Sequence, residues 1–255
     1  MKIITYSDLH LEFGNKFKPP KDSDADLMIL AGDVLTFNNF EPLKQFLADW
    51  AKPVLFVAGN HEYYTKRSML EGEEKFFEFI KSELPNIFWL LDDSITFGNV
   101  EFFGGTMWTN FAHSPLAMMD AKRDMTDYRY IFKNKTRKLR PEDTVEMHTD
   151  FKEKLITWLE ENKDKKRVVI SHHAPVIHQN THYPNSPLQP AFVSLDMVDI
   201  IEEYQPEIWY HGHTHQCDDQ MIGKTRIISN QFGYVGLRGN AECKEFDSDG
   251  MLTEI

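Results

Sequence analysis

The stretch Asp26-Leu-Met-Ile-Leu-Ala-Gly-Asp33 is an apolar run that ends abruptly on a carboxylate. Leu27 to Ala31 is long enough for one buried strand. Gly32 permits a tight turn, and Asp33 then stands at the mouth of a sheet, where α/β folds keep their chemistry. The same pattern recurs four more times. Ile3–Tyr6 runs into Ser7-Asp8-Leu9-His10, and Pro53–Ala58 into Gly59-Asn60-His61-Glu62. Arg167–Ser171 runs into His172-His173, and Ile208–Tyr210 into His211-Gly212-His213-Thr214-His215.

Helical patterns separate these runs. Glu41–Ala51, with Pro42 in its first turn, presents Leu43, Phe46, Leu47 and Trp50 as an apolar stripe. Arg67–Glu83 is expected to turn Leu70, Phe76, Phe77 and Ile80 inward, and Pro141–Asn162 to bury Val145, Leu155, Trp158 and Leu159. Ser194 is placed to cap a helix reaching Tyr204. Ile87–Leu91, Ser94–Phe97 and Val100–Phe103 read as consecutive strands, the last two joined by a Gly98-Asn99 hairpin turn. Arg226–Ser229 is a late strand. The pattern predicts an α/β fold in which some antiparallel pairing joins parallel units.

At 255 residues, 41% hydrophobic and 13% aromatic, the chain can bury a large core. No apolar run approaches the length of a membrane span. A strand begins at once after Met1, so no leader and a cytoplasmic location are expected. Two cysteines, Cys217 and Cys243, do not make a disulfide framework. Net charge is −12, which argues against a nucleic-acid binder of the whole-surface kind. The charge is unevenly spread. Residues 109–140 hold eight lysines and arginines against three aspartates, a local +5 that leaves −17 elsewhere. This segment is too short for its own core and reads as a basic insertion in a single domain spanning residues 1–255.

The five strand ends collect Asp8, His10, Asp33, Asn60, His61, His172, His173, His211, His213 and His215. All are nitrogen or oxygen donors and none is a thiolate. Such a set suits Zn, Fe, Mn or Ni, and Mg less well. A carboxylate shared between two divalent ions places them roughly 3.5–4 Å apart, where they activate water and polarise a phosphoryl oxygen. Each block alone is weak; five in order at strand ends are together specific for a dinuclear metal site.

Asp8-x-His10, Gly32-Asp33, Gly59-Asn60-His61-Glu62, His172 and Gly212-His213-x-His215 resemble the signature of the calcineurin-like metallophosphoesterases. The likeness is greatest to small bacterial and phage members. It implies a four-layer αββα sandwich of two mixed sheets flanked by helices, with metals at the strand C-termini. By that resemblance one ion takes Asp8, His10, Asp33 and His215. The second takes Asp33, Asn60, His172 and His213. Asp33, Asn60 and His61 would be the catalytic residues, His61 steadying the transition state or protonating the leaving oxygen. The implied activity is hydrolysis of a phosphodiester or phosphomonoester by a metal-bound hydroxide, on a small phosphoester or nucleotide. A nuclease working through the basic insertion, and a non-catalytic scaffold of the same fold, are the alternatives.

The departures narrow the class. Val34-Leu-Thr-Phe-Asn-Asn39 replaces the Asp-Arg-Gly element of the protein Ser/Thr phosphatases. Thr36 stands where purple acid phosphatases place a tyrosine ligand. Asn230-Gln-Phe-Gly-Tyr234 is similar to an Asn-Pro-Arg-Gly-Tyr block but lacks its Pro and Arg. His173 is expected to pack, His211 to hydrogen-bond or support, and His178 and His182 to lie near the rim. Cys217 is expected buried and inert. Trp108, Tyr63 and Tyr64 serve either the core or a stacked base. Arg123 and Arg129 would reach over the metals to bind phosphate, or else belong to a solvated loop.

Overall fold

Every apolar run that ends on a polar block forms a strand, and alternate residues of each strand serve two different cores. The computed structural model describes residues 1–181, 184–236 and 239–255. In chain order the elements are β1 (Lys2–Tyr6), β2 (Leu27–Ala31), α1 (Glu41–Phe46), β3 (Val54–Val57), α2 (Met69–Glu83), β4 (Ile87–Trp89), β5 (Asp93–Phe97) and β6 (Val100–Gly105). There follow α3 (Pro115–Asp124), α4 (Asp127–Tyr130), β7 (Phe132–Asn134), β8 (Arg137–Lys138), α5 (Pro141–Glu161) and β9 (Lys166–Ser171). The chain continues through α6 (Gln189–Phe192), α7 (Met197–Tyr204), β10 (Ile208–Tyr210), β11 (Asp218–Ile222), β12 (Thr225–Ser229) and β13 (Thr253–Glu254).

Two mixed sheets result, ordered β13-β1-β2-β3-β4 and β11-β12-β10-β9-β6-β5. The interior pairs are parallel, and the antiparallel partners β13, β11 and β5 lie at edges. The period of two in a strand explains the layers. Ile3, Leu27, Ile29, Leu55 and Val57 of one sheet meet Phe102, Val168, Ile170, Ile208 and Ile228 of the other. Their neighbours Ile4, Met28, Leu30 and Phe56 face outward onto α1 and α2. Phe103, Val169, Trp209 and Ile227 face outward onto α5 and α7. Strands buried on both faces read as continuous apolar runs, and that is how they stand in the sequence. The αββα sandwich is therefore the observed architecture.

Some expected details differ. The first helix stops at Phe46 rather than Ala51, although Leu43, Phe46, Leu47 and Trp50 are all buried. The second begins at Met69, where Ser68 and Glu71 form a capping box. Its buried seam is Met69, Gly72, Phe76 and Ile80, while Leu70 and Phe77 are exposed. Those two lie one residue, about 100° of helix, away from the seam. Asp196, not Ser194, occupies the N-cap of α7, because Ser194 turns its hydroxyl to the Trp108 carbonyl. Val145 is half-buried. The segment 109–140 packs Ala117, Ala121, Met125, Tyr128, Ile131 and Leu139 into the same core as α1 and α2. Among the described residues no helix is long and apolar enough to cross a membrane.

Phe76 stacks on Phe37 at 4.7 Å and packs against Phe56 at 4.9 Å. Phe76→Ala is expected to cost roughly 3–5 kcal/mol, whereas Phe77→Ala should change stability by no more than about 0.5 kcal/mol. Urea unfolding of both variants tests the seam; equal losses would contradict it.

Candidate metal centre

The parallel strands β1, β2 and β3 of one sheet and β9 and β10 of the other deliver all five polar blocks to one cleft. Asp8, His10, Asp33, His213 and His215 have left-handed backbones, with φ between 44° and 73°. This conformation is strained for residues with a Cβ. Gly32 and Gly59 are required by close approach. A Cβ on Gly32 would overlap the His172 ring, and one on Gly59 the Asp33 carboxylate.

Asp33 is central. Its Oδ1 lies 3.3 Å from His172 Nε2 and accepts the His61 backbone N–H at 2.8 Å, while Oδ2 lies 3.9 Å from His10 Nε2. Asp8, His10 and His215 offer atoms within 4.8 Å of one another, as do Asp33, His172 and His213, and also His10, Asp33 and His61. Asn60 Oδ1 joins the second group at 3.1 Å from His172 Nε2. The structure thus gathers every residue expected to ligate a metal.

The donor chemistry fits a cation. His172 Nδ1 donates to the Ala31 carbonyl at 2.9 Å. In the neutral ring Nε2 is then a lone pair, facing Asp33 Oδ1, Asn60 Oδ1 and, at 3.1 Å, His213 Nδ1. Burial would depress His172, but the Asp33 carboxylate overrides it and lifts the ring to about 10. That shift marks a point that demands positive charge. In the other group His215 Nδ1 donates to Glu242 Oε2 at 2.8 Å, aiming Nε2 at Asp8 Oδ1 3.5 Å away and at His10 Nε2 at 3.3 Å. A carboxylate behind a histidine in this way is how metal ligands are oriented. Burial alone would raise the Asp33 carboxyl, yet the imidazoles of His172, His61 and His10 hold it well below its usual range.

His61 shares a cluster with His10 and Asp33 but stands outside the two groups expected to hold the ions. Its Nδ1 lies 3.3 Å from Glu12 Oε1, and its ring stacks on Tyr64 at 4.2 Å. Burial works against its protonation, but Asp33 and Glu12 lift it to about 9. Glu12 also sits 3.3 Å from His10 Nδ1. Four acidic residues at the site had no role in the sequence reading: Glu12, Glu62, Asp127 and Glu242. Two had a local signal: Glu12 in the alternation Asp8-x-His10-x-Glu12, and Glu62 as the last residue of the Gly59-Asn60-His61-Glu62 block.

The remaining expectations divide, His173, Trp108 and Tyr63 packing as one reading of the sequence has them and the arginines not. His173 packs on Trp108 and His213, and burial and His172 push it down to about 3. His211 plays the expected supporting part, its Nδ1 donating to the Gly212 carbonyl at 3.2 Å and its Nε2 lying 3.7 Å from Asp218, which His178 also approaches at 3.8 Å. His182 lies outside the described residues. Trp108 and Tyr63 are buried, while Tyr64 lines the cleft. Cys217 is half-buried and Cys243 is the buried one. Arg123 closes onto Asp120 and Asp124 of its own helix, and Arg129 donates to the Arg123 and Asp124 carbonyls. Neither lines the cleft. Residues 109–140 reach it through Asp124–Asp127 instead, because local carboxylates and carbonyls satisfy their arginines first.

A site of convergent imidazoles and carboxylates at strand ends of an αββα sandwich defines a metallo-phosphoesterase class. This chain belongs to the calcineurin-like phosphoesterase family, whose model matches residues 1–217. It is similar to Uncharacterized protein L509 of Acanthamoeba polyphaga mimivirus, 29% identical over 286 residues that cover 100% of this chain and 99% of the relative. In fold it is similar to phosphopantetheinyl hydrolase (PptH) from Mycobacterium tuberculosis, at TM-score 0.67 and 16% identity over 91% of this chain and 89% of the other. A dimetal phosphatase from Danio rerio is also similar in fold, at TM-score 0.50 and 12% identity over 90% and 86%.

Glu62 supports the whole site. Fully buried, it accepts the backbone N–H of Val34 (2.8 Å) and Leu35 (3.2 Å) on Oε1, and of Asp33 (3.0 Å) and Gly59 (2.6 Å) on Oε2. In Glu62→Gln one pair of donors would face an NH2 group. The expected loss is roughly 2–5 kcal/mol from donors left unpaired, read by chemical denaturation of the metal-free protein. An unchanged midpoint would remove Glu62 from this role.

Proposed function

We propose that this protein hydrolyses phosphoester bonds at a pair of divalent metal ions. The observation that carries the reading is Asp33, whose two oxygens face separate ligand groups, His10 on one side and His172 on the other. One ion would be held by Asp8, His10, Asp33 and His215, and the other by Asp33, Asn60, His172 and His213. Ions of the Mn, Fe, Zn or Ni type suit these donors. When bound, they would activate a water and neutralise charge on the phosphoryl oxygens.

The chain's own residues do the rest. In the metal-free chain Asp33 and Glu12 favour the protonated His61 ring, with Nδ1 turned to Glu12 and its backbone tied to Asp33. This leaves Nε2 to protonate the leaving oxygen. Tyr64 and Glu12 fix the plane of that ring. The cleft, about 450 Å³, is lined by Asp33, Asn60, His61, Tyr64, Phe192 and Tyr234 among others. Its described lining holds carboxylates and aromatic rings but no lysine or arginine. That composition favours a small phosphoester over a nucleic-acid strand, which needs cations along its backbone. The intact ligand groups favour an enzyme over a scaffold. We place the reaction in a reducing compartment such as the cytoplasm, in keeping with two free thiols.

Elemental analysis is expected to give two ions per chain, and Asp33→Ala to lose or loosen both. His61→Ala should keep both ions and lose rate by on the order of 10²–10⁴, as for a general acid. The loss should be largest for alkyl leaving groups and smallest for p-nitrophenolate, which needs no proton. One tight ion in the wild type would sink the dinuclear reading. Loss of metal in His61→Ala would make His61 a ligand.

A further inference from the structure

The insertion's net positive charge hides one buried carboxylate. Asp127, 1% exposed, opens α4 and directs Oδ1 at two donors. Asn60 Nδ2 donates to it at 2.8 Å and the Tyr64 hydroxyl at 2.5 Å. The Tyr64 oxygen also accepts from Asn60 Nδ2 at 3.3 Å. The backbone of Asp127 is anchored, because its carbonyl accepts the Ile131 N–H at 2.9 Å and its neighbour Tyr128 is buried in the core.

The two ends of a carboxamide are nearly equal in size, so packing alone does not choose between them. Turned by 180°, Asn60 would present an NH2 group to His172, and an NH2 group has no lone pair to give a cation. An ionised carboxylate accepts only, so Asp127 admits just one orientation. These described partners are an amide and a hydroxyl, not a cation. The His61 imidazole is near enough to act on Asp127 electrostatically but does not hydrogen-bond it, and burying a carboxylate on neutral hydrogen-bond partners costs folding energy, which points to a role in the site rather than in stability. We infer that Asp127 is a positioning residue that locks the Asn60 amide with its oxygen toward His172, so that the insertion sets the affinity of one of the two ions. This rests on the reading of Asn60 as a ligand.

The test is a Mn²⁺ titration of metal-free protein by calorimetry, resolving two dissociation constants. Asp127→Ala is expected to weaken one ion by roughly 10–100-fold, as loss of a group that orients a ligand does, and to leave the other nearly unchanged. In Asp127→Asn a carbonyl oxygen can take both bonds, so most of that affinity should return. Tyr64→Phe, which keeps the Asn60–Asp127 bond, should have the smallest effect. A purely structural role would move both constants together, or neither, and would overturn the proposal. So would an Asn variant no better than Ala. Should Asp127→Ala fail to fold, the wild type decides. The Asn60 side-chain amide protons, assigned by their loss in Asn60→Ala, should exchange slowly in metal-free protein, and fast exchange would overturn the lock. A wild type that binds only one ion would refute the two-ion reading, whereas protected Asn60 protons would still uphold the orientation.

Discussion

One buried carboxylate sets the geometry on which the site depends. Glu62 gathers four backbone N–H groups from the loops that follow β2 and β3. Each loop would otherwise bury unpaired donors. With the two loops clasped, Asp33 and Asn60 stand side by side, and the Asp33 carboxylate can accept the His61 N–H. The arrangement brings two acids close together. Burial and the neighbouring Asp33 push Glu62 up to about 8, against His172 and the backbone donors that favour its anion. A cation beside Asp33 relieves that conflict, so the clamp and a metal centre belong to one electrostatic design.

Strain is the second element of that design. Five of the seven residues proposed as ligands have left-handed backbones, each costing about 1–3 kcal/mol. In an extended chain Asp8 and His10 would share a face while the residue between pointed away. The left-handed turns add a sharp change of direction, so that side chains from two sheets aim into one volume. Three apolar cores, each spanning a sheet face and its neighbours, hold the strands firmly enough to keep this geometry.

The strand ends were legible because an apolar run and its polar stop are adjacent in sequence, and the strand period does the rest. Asp8, His10, Asp33, Asn60, His172, His213 and His215 could be named for that reason. What supports them was not legible. Glu242 and Asp127 meet their histidine and asparagine partners across 27 and 67 residues, and nothing local marks either. Arg123 shows the converse. Its charge is plain in the sequence, but its direction is decided by Asp120 and Asp124 on its own helix. Leu70 and Phe77 failed for a smaller reason. A helical stripe read without caps is uncertain by one residue, and that single step turned two side chains into solvent.

Because every parallel strand runs toward the cleft, the loops that enter those strands lie at the far end of the sandwich. The Gly98-Asn99 turn before β6 and the Gly223-Lys224 turn before β12 are such places. At about 3.3 Å per residue, a five- or six-residue strand sets them some 15–20 Å from the candidate metal centre. They carry none of the buried polar bonds that organise it. The molecule thus has a chemical pole and an inert pole, and a surface tether, a dye or a grafted peptide belongs on the second.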